Sequence, residues 1–349
     1  MKKTVGVCGY SATGSSAFSD FLREFEETKV LDNIEFRLTH LPDGLEDLEY
    51  HLKNYHIIYT RIVAINRFRK FIKKFTFHHA TEKEIYRAVN DFLKKIVNLS
   101  WNGSGYFIDM YVCSLLYKYL YKLARKFRLY KNKNINKFFT YNMELSVMPE
   151  NFDEASRIFV IDIINAINKN QDNEEKLITV LDQPFYACNP VKSFKYFENP
   201  LAIIIDRDPR DHYLFAKNFL RPRGMRFIPC DNVDDYIKYF RLMRQSSPDL
   251  RDRKDIIFFN FEELVYDFEN TAKKIADFVG VTRHFHKGEY FKPTHSRNNT
   301  QLYKKYSGFE SDIKKIEREL PEYLFHFENY PDIDAEGGMF WGSQNRKRQ

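Results

Sequence analysis

Residues 4–25 read TVGVCGYSATGSSAFSDFLREF, in which Gly9 and Gly14 bracket four residues and Ser15 and Ser16 follow. Glycines accept backbone angles that residues with a Cβ resist, so successive N–H groups can converge on one anion. A helix starting after Gly14 aims its positive end at the same place, and the two serines add hydroxyl donors. The chemistry that suits such a segment is the holding of a phosphate or related oxyanion. The nucleoside-triphosphate loop GxxxxGK[ST] is a poor match, because Ser15 stands where the lysine for the β- and γ-phosphates belongs. An ordinary glycine-containing strand-to-helix turn has the same outline, so a second motif must decide.

That motif is Arg207-Asp208-Pro209-Arg210-Asp211, directly after the apolar run 200–205. Pro209 fixes a turn, and Arg207 leaves the end of the run with a guanidinium fork suited to phosphate. By itself an arginine there could equally be tied to Asp206 or Asp211. Acid–base candidates lie after the first helix, where 33–39 alternate as a second strand and 40–44 form a turn. In doubly wound sheets ligands sit beyond the carboxyl ends of strands, which makes Glu35, His40 and Asp43 candidates to face a pocket.

The elements that must position these residues follow from periodicity. Val5, Val7 and Cys8 supply a short buried run; Ala17, Phe18, Phe21, Leu22 and Phe25 recur at helical spacing. Strands are predicted at 4–8, 33–39, 176–182, 200–206 and 255–261, with helices at 153–169 and 262–279 among them. Five short apolar strands alternating with helices predict an α/β fold, a mainly parallel five-stranded sheet flanked by helices. From 45 to 150 the pattern is instead helical, at 45–54, 61–75, 82–97 and 106–128, and is read as an insertion on the acceptor side. The reading is one domain over 1–336 and a loose tail over 337–349. Arg61, Arg67, Arg69, Lys70, Lys73 and Lys74 give the insertion a basic face, which suits either a solvated helix surface or a dock for an acidic acceptor or nucleotide phosphate.

Composition narrows the function further. With 349 residues and 43% hydrophobic content, the chain has ample material for a core. The net charge of +7 comes from 55 basic against 48 acidic residues, a mixed surface rather than a nucleic-acid stripe. A small anionic partner suffices to account for it. Cys8, Cys113, Cys188 and Cys230 are scattered without metal-ligand spacing, so no metal is expected. The most apolar stretch, 106–123, is interrupted by Asp109, Lys118 and Lys122, so no membrane span is expected. The first residues run straight into a strand, and a cytoplasmic location is the expectation.

Taken together, the chain resembles the sulfotransferases that use 3′-phosphoadenosine-5′-phosphosulfate (PAPS), particularly bacterial carbohydrate-sulfotransferase-like members. Four pieces carry the resemblance, in family order: the loop Gly9–Ser16; IIIDRDPRD at 203–211; FFNFEELVYDFENTAKKIADFVGV at 258–281; and Ser296-Arg297-Asn298-Asn299. It implies the P-loop type of fold and a sulfuryl transfer from PAPS to an acceptor hydroxyl, with a carbohydrate or cell-surface glycan precursor as acceptor. Gly9, Ser11, Ala12, Thr13, Gly14, Ser15 and Ser16 would hold the 5′-phosphosulfate. Arg207 and Arg210, with Lys292, Ser296, Arg297 and Asn298, would complete the nucleotide site. Glu35 and His40 are the leading general-base candidates, with Asp43 their rival. Two departures stand out: Ala12 occupies the place of a loop Lys or Arg, and Phe215 that of a serine eight residues after Arg207. Leaving-group stabilisation then falls to Lys292, Arg297 or Arg67. The alternatives are a nucleotide-dependent kinase with a divergent loop, or a catalytically silent nucleotide- or glycan-binding protein of the same fold.

Overall fold

The computed structural model describes residues 2–74, 82–104, 111, 114–132, 139–147, 150–168, 177–245, 249–334 and 338–339. Of the features read from the sequence, Asp109, Cys113 and all but two residues of the 337–349 tail lie outside these. The chain divides into two compact units: residues 1–36, 174–194 and 198–349 form one, and 37–173 with 195–197 the other.

The first unit is built on β1 (Lys3–Gly9), whose interior residues are buried on both faces, as a central parallel strand requires. Around it stand β2 (Thr28–Glu35), β5 (Ile178–Asp182), β6 (Pro200–Asp206) and β7 (Ile256–Asn260), in the order β2-β5-β1-β6-β7, all parallel. The predicted five-stranded parallel α/β sheet is therefore present. Helix α1 (Ser15–Arg23) buries Phe18, Phe21 and Leu22 against Val5, Val7, Ile203, Ile205 and Phe259 of the strands. Each such side chain removed from water contributes about 1.5–3 kcal/mol. Because all five strands run the same way, their carboxyl ends gather along one edge of the sheet. The turns after β1 and β6 both lie there.

The second strand is earlier than predicted, at 28–35 rather than 33–39. Phe36 and Leu38 are fully buried, which gives the alternation of a strand, but they belong to the turn that follows β2. The carbonyls of Leu38 and Thr39 accept from Leu45 and Glu46 at the start of helix α2 (Leu45–Asn54) rather than from a neighbouring strand.

The second unit contains α2, α3 (Ile58–Lys74), α4 (Glu82–Ile96), α5 (Leu115–Lys126) and α6 (Phe152–Asn168). Phe68, Phe92 and Phe159 form its ring cluster, with centroids 5.1–5.6 Å apart. It also holds an antiparallel pair, β3 (Leu99–Gly103) and β4 (Tyr141–Leu145), which the sequence reading did not foresee. Most of β3 is exposed, so it lacks the alternation that announces a strand. Of the basic face read from the sequence, Arg69 is committed to a bidentate pair with Glu144 at 2.7 and 2.8 Å.

Candidate functional site

The loop between β1 and α1 leaves the centre of the sheet and reverses sharply. Ser11 (φ 71°), Ala12 (φ 56°) and Gly14 (φ 96°) are all left-handed. For the two residues with a Cβ this conformation costs roughly 1–2 kcal/mol each, so the surroundings must impose it. A Cβ on Gly14 would come within 2.5 Å of the Phe261 ring, and one on Gly9 would overlap Thr13 Oγ1. Thr13 is fixed from both sides: its hydroxyl donates to Ile205 O at 2.8 Å and accepts from Tyr10 N at 3.2 Å.

The backbone donors of this loop are idle. Among the described residues, none of the six consecutive N–H groups from Ser11 to Ser16 has a hydrogen-bond partner. Gly14 caps α1 without a side chain, so the helix's first-turn amides add their partial positive charge at this point. Gln183, itself left-handed at the end of β5, braces the loop at two points. Its Oε1 accepts from Gly9 N at 3.3 Å and its Nε2 donates to Ser15 Oγ at 3.0 Å. Because Ser15 Oγ accepts from Gln183, its own proton remains available to a ligand. An anion is what six unpaired amides and two hydroxyls can hold.

The turn after β6 has the opposite character. Asp208 N-caps helix α7 (Pro209–Phe215), accepting from Arg210 N at 2.8 Å, and its carboxylate also takes Arg210 Nη2 at 2.7 Å and Phe325 N at 2.9 Å. Arg210 continues to Glu317 Oε1 at 2.9 Å and stacks over Tyr303. Asp211 accepts the amides of Gln301 (2.7 Å) and Leu302 (2.6 Å), which pins the 296–302 turn beside it. Burial, together with the Asp208 carboxyl, raises Asp211 to about 7. Glu262 is held well above the ordinary carboxylate range by burial and by Asp208 and Asp211.

Arg207 links the two turns. Its Nη1 donates to Ala12 O at 3.2 Å and its Nη2 donates to Asn299 O. The guanidinium is packed over the rings of Phe215 (4.7 Å) and Phe261 (5.5 Å), and its Nε has no partner among the described residues. Phe215, which departs from the resembled pattern, is thus a cation–π platform for Arg207. Arg207 is only 3% exposed, so it grips the loop rather than projecting into open space.

The other sequence-named residues divide by environment. Ser296 is buried, with its N–H on Lys292 O at 3.1 Å. Arg297 is buried, with Asp332 at 3.0 Å and Thr300 as partners, and Asn298 Nδ2 donates to His295 O at 2.9 Å. Of the cations Arg207, Arg210, Lys292 and Arg297, Lys292 alone is exposed. Glu35 is exposed at the carboxyl end of β2, in register with Asp182 of the neighbouring strand. In the other unit, His40 Nδ1 lies 3.4 Å from Thr39 Oγ1, and Asp43 accepts from Arg67 Nε at 2.5 Å. Arg67 also contacts Asp47 at 3.5 Å, which commits it within its own unit. Among the described residues no cluster of His, Cys, Asp or Glu could hold a metal ion, and no helix is long and apolar enough to cross a membrane.

Sequence reasoning missed His212. It is buried, with Nε2 2.9 Å from Ser11 O and Nδ1 2.9 Å from the Tyr236 hydroxyl. Its partner is a backbone carbonyl 201 positions away, a relation that residue types do not announce.

No protein-family model matches the chain, and no curated protein matches it. Among solved structures, the chain is similar to the sulfotransferase domain from the Synechococcus PCC 7002 olefin synthase, at 13% identity and a TM-score of 0.34, covering 80% of this chain and 73% of that one. It is similar to a sulfotransferase from Alicyclobacillus acidocaldarius, at 10% identity and a TM-score of 0.36, covering 91% and 95%. It is also similar to the sulfotransferase domain from the curacin biosynthetic pathway, at 12% identity and a TM-score of 0.35, covering 93% and 98%.

Proposed function

We propose that this chain is a sulfotransferase that takes PAPS as donor and delivers the sulfuryl group to a hydroxyl of its acceptor. The observation that carries the reading is the run of six idle amides from Ser11 to Ser16, closed from behind by a second turn that carries no less charge but spends it internally. The loop lacks the lysine that a phosphate-hydrolysing site uses, which favours sulfuryl over phosphoryl transfer. A carbohydrate acceptor follows from the sequence resemblance.

The donor fits the residues present. The amides and the Ser15 and Ser16 hydroxyls would take the 5′-phosphosulfate, and the turn with Ser296 and Asn298, beside Arg207 and Arg210, would take the 3′-phosphate. When bound, PAPS supplies an activated sulfuryl group whose transfer is a loose in-line displacement. The protein's share of the work is positioning and fixed donors, since such a displacement asks little covalent chemistry of it. Lys292, exposed beside the 296–299 turn, is the cation assigned to the departing nucleotide. Glu35 or His40 would accept the acceptor's proton; Asp43 is already engaged by Arg67.

A melting experiment tests the donor. 3′-Phosphoadenosine-5′-phosphate should raise the melting temperature well above the shift given by AMP, and equal or absent shifts would remove the assignment. Radiolabelled sulfate transfer to a panel of hydroxyl acceptors, repeated with Glu35→Gln and His40→Asn, then separates the base candidates. Full activity in both variants would dismiss the two.

A further inference from the structure

Two consecutive residues with side chains, Ser11 and Ala12, hold left-handed backbone angles in the middle of the anion loop. Their carbonyl oxygens are each taken by a buried side chain from the neighbouring turn. His212 Nε2 meets Ser11 O at 2.9 Å, and Arg207 Nη1 meets Ala12 O at 3.2 Å. No peptide bond among the described residues is cis, and in a trans peptide the C=O of one residue points opposite to the N–H of the next. Drawing the Ser11 and Ala12 carbonyls inward therefore turns the Ala12 and Thr13 amides outward. Those two amides belong to the unpartnered run.

The protonation of His212 agrees with this task. Burial, with Arg244 and Arg207 nearby, lowers its pKa to about 3, so the ring is neutral near pH 7. A carbonyl can only accept, so the single ring proton sits on Nε2 and donates to Ser11 O. Nδ1 is left as the ring's acceptor, 2.9 Å from the Tyr236 hydroxyl, which donates to Pro209 O at 2.7 Å. The Ser11 carbonyl thereby fixes the tautomer. The neutral ring itself adds no charge to the loop beyond that of Arg207.

We propose that His212 is a positioning residue of the donor loop: acting through the Ser11 carbonyl, and in concert with Arg207 at Ala12, it sets two backbone amides to receive the 5′-phosphosulfate. The identity of that ligand rests on the function proposed above; the orientation of the amides does not.

The test compares His212→Leu with His212→Gln, whose side-chain amide can reach the same carbonyl. Binding of 3′-phosphoadenosine-5′-phosphate and of inorganic pyrophosphate is measured by calorimetry, with backbone amide NMR signals of Ala12 and Thr13 followed in the same titrations. Loss of one aligned phosphate contact predicts about a tenfold rise in Kd for the leucine variant, and the glutamine variant should stay within about threefold of the parent. In the parent and the glutamine variant the Ala12 and Thr13 amide protons should move downfield on anion addition; in the leucine variant they should not. A folded leucine variant with unchanged Kd and unchanged amide shifts would overturn the proposal. So would equal loss of affinity in both variants, which is what a purely structural role predicts. Should the parent bind pyrophosphate with the expected shifts but not the nucleotide, the donor assignment fails and the positioning role of His212 stands. Should it bind neither, both fail.

Discussion

The turns after β1 and β6 lie side by side at the same edge of the sheet and are polar to a similar degree, yet they handle polarity in opposite ways. In the first, six amides and the Ser15 hydroxyl proton have no partner among the described residues. In the second, both oxygens of Asp208 and of Asp211 are occupied, Arg210 has three partners, and Arg207 is closed over by rings. Unpaired polar groups cost stability and are tolerated where a ligand will pair them; saturated buried groups hold a shape. The charged turn that attracts attention in the sequence is therefore the support, and the loop of small neutral residues is the surface proposed to bind.

The contrast can be broken from either side. The largest effect should come from Asp208→Ala, which strands Arg210 and the Phe325 amide in the interior. Opening a buried ion pair costs roughly 3–5 kcal/mol, to be read as a lower midpoint in urea unfolding. A loss near zero would show that the second turn is not a support. Gly14→Ala should come next, because its left-handed angle alone costs about 1–2 kcal/mol and the new methyl meets Phe261. Its affinity for 3′-phosphoadenosine-5′-phosphate should fall further than its stability, since the loop is the proposed binding surface. A smaller effect is expected of Gln183→Ala, which frees Gly9 N and Ser15 Oγ without touching either turn's backbone. Calorimetry should show a several-fold weaker Kd, about 1 kcal/mol for the lost braces, with unfolding little changed.

The pH dependence sharpens rather than breaks the contrast. His212 is neutral in the fold down to about pH 3, against an ordinary value of 6.5. As pH falls below 6.5 the unfolded chain takes up a proton that the folded chain refuses, so this group's contribution is whole above 6.5 and is lost toward pH 3. Asp211, raised from 3.8 to about 7, acts in the opposite sense: its contribution is whole below 3.8 and is lost as pH rises through 7. The net slope of the parent mixes the two, and the difference between the parent and His212→Gln isolates the histidine. The variant should lose less stability than the parent between pH 6.5 and acid; identical slopes would mean that His212 is not buried neutral.

How much of this could be read from residue types follows from the range of the interactions. The strand, loop and helix from Lys3 to Arg23 were legible because an apolar run, two glycines and a 3.6-residue stripe are all local signals, and Pro209 after a buried strand was equally plain. Phe36 and Leu38 misled, because a buried turn can alternate like a strand when its own carbonyls cap the next helix. The pair β3 and β4 carried no signal, since Leu99 and Trp101 stay exposed. Arg207 lies beside the loop, but its burial depends on Phe215 and Phe261, and no spacing encodes that. His212 was invisible for the same reason: its meaning is a contact with a carbonyl contributed by a distant loop.

A structure of the protein with 3′-phosphoadenosine-5′-phosphate tests the central claim most directly. The account predicts the 5′-phosphate within hydrogen-bonding distance of amides from the Ser11–Ser16 run, with Arg207 and His212 still on the Ala12 and Ser11 carbonyls. A nucleotide bound elsewhere, or a 5′-phosphate held by side chains while those six amides remain unpaired, would contradict it.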